Sequence, residues 1–114
     1  MAIIVLVSAS GSPGVTTSAI GLTTRWDRPC LLLEADPTGA SAMLASLMGN
    51  YAADRIPGIF DLAVRYRQTG TLPKLLDVSV QPAGTTFHLL SGLRSPTQAT
   101  TISDVWPPLI AELR

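Results

Sequence analysis

The chain has 114 residues, of which 46% are hydrophobic, 14% charged and 5% aromatic. That length allows one small domain or part of a larger one, and that apolar content excludes a disordered segment. Eight basic and eight acidic residues cancel, which argues against a strongly basic nucleic-acid surface and against an acidic tail; the single cysteine, Cys30, excludes an internal disulfide framework and a cysteine-built zinc cage.

Taken in chain order, the first element is a strand over Ile3–Val7, a continuous β-branched and aliphatic run of the kind buried on both faces in a parallel sheet. The apolar runs Ala2–Val7 and Cys30–Leu33 fall far short of the ~20 residues that cross a bilayer. Met1–Ser10 has no basic n-region and too short an apolar stretch for a signal peptide, so a cytoplasmic location is expected. Ser8–Gly14 is a breaker cluster. Thr16–Trp26 reads as a helix with Ala19, Ile20 and Thr23 near one stripe, ended by Asp27-Arg28-Pro29. Cys30–Ala35 is a second apolar run, stopped by Asp36-Pro37-Thr38-Gly39. Ser41–Met48 is a short amphipathic helix with Ser41 as its candidate cap.

Gly58–Gln68 reads as a helix with Ile59, Leu62, Ala63 and Tyr66 on one face. Leu72–Gly84 reads as loop, with a helical turn at Leu72–Leu76. Thr86–Leu90 is a third strand. Thr100–Arg114 is a helix in which Pro107-Pro108 imposes a start or a kink. Strands alternating with helices predict an α/β domain with a mostly parallel sheet, helices on both faces, and ligands at the carboxyl ends of the strands. The loops Ser8–Thr17, Asp36–Ala40 and Ser91–Ser95 are expected to meet there.

Ser10-Gly11-Ser12-Pro13-Gly14-Val15-Thr16-Thr17 follows the first strand and opens the first helix. Glycines let backbone amides close around an anion, and a helix N-terminus adds its dipole. Thr16 and Thr17 place hydroxyls where a phosphate or its magnesium ion would lie; the alternative is a plain strand-to-helix turn. Asp36 suits magnesium's water shell or the attacking water, or belongs to an ordinary Asp-Pro-x-Gly turn. Strand alternation puts Glu34 on the same face as Asp36.

This loop resembles the deviant Walker A loop of the ParA/MinD family of P-loop ATPases, Lys-Gly-Gly-x-Gly-Lys-Thr-Thr, with Gly11, Gly14, Thr16 and Thr17 matching. Leu31–Ala40 resembles the family's second strand and switch I segment, Asp-x-Asp-Pro-Gln-Gly-Asn: Asp36, Pro37 and Gly39 match and Glu34 holds the first acidic position. Leu89–Leu93 resembles the third strand and its following loop. The resemblance covers Met1 to about Met48, and the remainder through a similar element order. It implies the N-terminal part of a P-loop NTPase-like three-layer αβα domain. It also implies ATP or ADP with Mg2+ as ligands, bound by Gly11, Ser12, Pro13, Gly14, Val15, Thr16 and Thr17. Thr16 and Asp36 would serve the metal, and Asp36 catalysis. As partners it implies a homodimer or a partner protein, with a nucleic-acid or membrane surface engaged through a further C-terminal part, in partitioning or cellular positioning.

Two positions depart from the family. Ser10 stands where the signature lysine belongs, and Val15 where the ordinary Walker lysine belongs. A charge-assisted hydrogen bond is worth roughly 1.5–3 kcal/mol, and positioned cations stabilise the phosphoryl-transfer transition state. Nucleotide binding survives such a loss more readily than hydrolysis, so an active switch and a non-catalytic pseudo-ATPase module are both open. Arg94 follows the third strand at the carboxyl edge and is the candidate replacement cation. Arg25 lies nine residues beyond Thr16, about 14 Å along the helix, at the wrong end. A Rossmann dinucleotide-binding domain shares the strand, glycine loop and helix, but Gly-x-Gly-x-x-Gly is not present. A ligand-free interaction domain is the third alternative. Cys30 is expected to be a core cysteine, His88 a core or edge histidine, Trp26 and Trp106 packing anchors, and Arg65 and Arg67 part of a solvated face.

Overall fold

The computed structural model describes residues 3–7, 14–35, 57–93 and 96–114. Helix α1 spans Val15–Thr24 and strand β1 Leu31–Leu33. Helix α2 spans Ile59–Thr69, and a 3-10 turn occupies Leu75–Val78. Strand β2 spans His88–Leu90 and helix α3 Pro96–Thr101. A second 3-10 turn at Ser103–Val105 leads into helix α4, Trp106–Leu113. The described chain is thus α/β, with helices around a two-stranded parallel sheet. The expected helix over Ser41–Met48 lies outside the described residues.

The strands pair in the register Leu31–His88, Leu32–Leu89 and Leu33–Leu90. The His88 N–H donates to the Cys30 carbonyl at 3.1 Å and the Glu34 N–H to the Leu90 carbonyl at 3.2 Å. On its other edge β2 is also engaged. Leu89 and Val80 exchange N–H···O bonds of 2.7 and 2.9 Å, and the Ile59 N–H donates to the Ser91 carbonyl at 2.8 Å. His88–Leu90 is therefore the interior strand, flanked by β1 and by two isolated bridges.

Helix α2 forms as its sequence pattern predicts. Ile59, Leu62 and Ala63 are buried, and Tyr66 packs at the core margin. At its start the Gly58 N–H donates to the Asp61 carboxylate at 2.9 Å, which satisfies an orphan donor and sets an acid at the positive end of the helix dipole. At its end Gly70 adopts φ 76 and returns its N–H to the Tyr66 carbonyl at 2.7 Å, a left-handed stop that only glycine adopts freely. The α2 stripe meets Val78, Leu90, Leu93, Ile102, Val105 and Leu109 in one core.

The chain differs from expectation in three places. Ile3–Val7 forms no strand and is 41% to 81% exposed. A strand exists only through a ladder partner, and no described residue supplies one. The helical turn expected at Leu72–Leu76 lies three residues later, where Val78 can enter the core. The predicted C-terminal helix is divided into α3, a 3-10 turn and α4. Pro107 and Pro108 sit in the first turn of α4, where their missing N–H groups cost no helical bond, so the pair marks a start.

Candidate functional site

Gly14 is the N-cap of α1, with φ 115 and ψ −21. An L side chain there would be strained, so glycine permits the chain to turn abruptly into the helix. The first helical bond runs from the Ser18 N–H to the Gly14 carbonyl at 2.8 Å. Gly14 has no side chain with which to cap, and the first turn contains no acidic residue. The leading N–H groups of α1 thus carry the positive end of the dipole without an intrinsic counter-charge. Val15 and Thr16 are half-buried and Thr17 is exposed. Gly11, Ser12, Pro13 and Asp36 lie outside the described residues, as do Ser10 and Arg94.

The second cluster lies where β1 and β2 end. Glu34 follows β1 and is 7% exposed, and its Oε2 accepts the Gly92 N–H at 3.4 Å. The parallel register is continued one step by the Glu34-to-Leu90 backbone bond, and the Glu34 side chain lies over Gly92 while Ser91 abuts Gly58. Ser91 is 1% exposed and its Oγ has no hydrogen-bond partner. Close backbone approach defines this corner. A Cβ on Gly92 would stand 2.8 Å from Glu34 Cγ and 2.8 Å from the Glu34 carbonyl oxygen, and one on Gly58 would stand 2.5 Å from the Ser91 carbonyl oxygen.

Glu34 is thus a single buried carboxylate at the end of β1, held by the Gly92 N–H. Among the described residues no group of three or more His, Cys, Asp or Glu side chains is gathered. Ser91 heads the Ser91–Ser95 loop that the sequence places at the carboxyl edge, and it is buried directly after β2.

The other candidates sort by burial. Cys30 is half-buried, and burial pushes its thiol pKa up, away from the reactive thiolate. His88 is half-buried with Nδ1 3.4 Å from Ser79 Oγ. Trp106 packs on the core, whereas Trp26 is 40% exposed and does not serve as the anchor expected of it. Arg67 is exposed, yet it is ion-paired with Asp104 at 2.6 Å and also donates to the Thr101 carbonyl. The helix face expected to be merely solvated therefore carries a clamp to the C-terminal segment. No helix among the described residues is long and apolar enough to cross a membrane. No family model, curated protein or solved structure matches the chain.

Proposed function

We propose that the chain is a P-loop NTPase-like nucleotide-binding domain of the ParA/MinD type, cytoplasmic, that takes ATP or ADP with magnesium and acts as a dimerising switch in positioning or partitioning. The observation that carries this reading is the start of α1. A left-handed glycine opens a helix with no acid in its first turn, and the hydroxyls of Thr16 and Thr17 follow at once. Such an end favours a phosphate.

Helix α1 packs against β1, and residues 25–30 join them. A helix that runs back along the strand it precedes brings its N-terminus to that strand's carboxyl end, the usual ligand edge of an α/β sheet. Val15 can offer only its backbone amide to a phosphate. Asp36 would orient water at the metal and Thr16 would approach it directly. Without either lysine, binding outlasts turnover, so the domain works by occupancy rather than by rapid hydrolysis. Homodimerisation, or association with a partner protein, would read out that occupancy, and contact with a nucleic-acid or membrane surface would come through a further C-terminal part.

Thermal unfolding with ADP plus magnesium, ATP plus magnesium and NADH tests this. Stabilisation by both adenine nucleotides, none by NADH, and slow or undetectable ATP turnover are expected. Stabilisation by NADH alone would favour a dinucleotide-binding domain instead, and no stabilisation by any of them would favour an interaction module.

A further inference from the structure

We draw no further inference here: the strongest candidate, the exposed and uncharged apolar run Ile3–Val7 ahead of α1, is an unpartnered apolar segment, and nothing in the structure shows what covers it.

Discussion

Gly58 lies against Ser91 so closely that a Cβ at residue 58 would stand 2.5 Å from the Ser91 carbonyl oxygen. The Ile59 N–H donates to that same carbonyl at 2.8 Å, so the start of α2 is stitched directly to the end of β2. Gly58 itself has an extended backbone, φ −163, which any residue can adopt. The requirement for glycine there is space alone.

Gly58→Ala is therefore expected to destabilise the fold by about 1–3 kcal/mol, the usual cost of overpacking. The obstructing atom belongs to the backbone of an interior strand and cannot swing aside. Denaturant unfolding measures this. An unchanged midpoint would mean that the α2–β2 junction is not tightly held.

The Arg67–Asp104 pair ties α2 to the C-terminal segment at 2.6 Å. The hydrogen bond from Arg67 holds the Asp104 carboxyl below its usual pKa. A depressed acid stabilises the fold above its unfolded pKa, near 4. That contribution is lost as pH falls through the lowered folded value. Asp104→Asn is expected to melt slightly below the wild type at neutral pH, with the gap closing in acid and at high salt, because both groups are exposed and screened. A gap that widened in acid would contradict this.

Val15 occupies the position of the Walker lysine in the resemblance. Val15→Lys is expected to raise ADP affinity by roughly tenfold or more, since a charge-assisted hydrogen bond contributes roughly 1.5–3 kcal/mol. Val15 is only half-buried, so the longer side chain has an outlet to solvent. Calorimetric titration reads the change, and an unaltered affinity would place the phosphate elsewhere.

The first charged side chain in the chain is Arg25, and Ile3–Val7 is exposed. An uncharged, β-branched, unpaired segment invites pairing between chains. The wild type is expected to associate with rising concentration in sedimentation experiments, and Val5→Lys to shift it toward monomer. A monodisperse wild-type monomer that unfolds cooperatively would argue against this.

Much of this fold was legible residue by residue. The stripe Ile59, Leu62, Ala63 and Tyr66 identified α2, because a 3.6-residue period survives any detail of packing. Leu31–Leu33 and His88–Leu90 were legible as apolar runs between breakers. The Ile3–Val7 strand was read from composition, which reports that a segment could be buried and not that a partner is at hand. The C-terminal breaks were only half legible: the proline pair signalled a start, while the 3-10 turn at Ser103–Val105 follows from seating Ile102, Val105 and Leu109 in one core. Near the candidate site, the glycine turn into α1 and the acid that follows β1 were legible as local features. Ser91 heads a loop expected at the carboxyl edge, but its burial was not legible, because it depends on strand register, which pairs residues far apart in the chain. Gly11, Ser12, Pro13 and Asp36 lie outside the described residues.

The most direct test of nucleotide binding is calorimetric titration of magnesium–ADP into the full chain, alongside Gly14→Val. Saturable binding by the wild type is expected, strongly weakened in the variant because a β-branched residue cannot readily adopt the φ of 115 that opens α1. Absence of saturable binding in the wild type, or undiminished affinity in a folded Gly14→Val protein, would contradict a phosphate site at the start of α1.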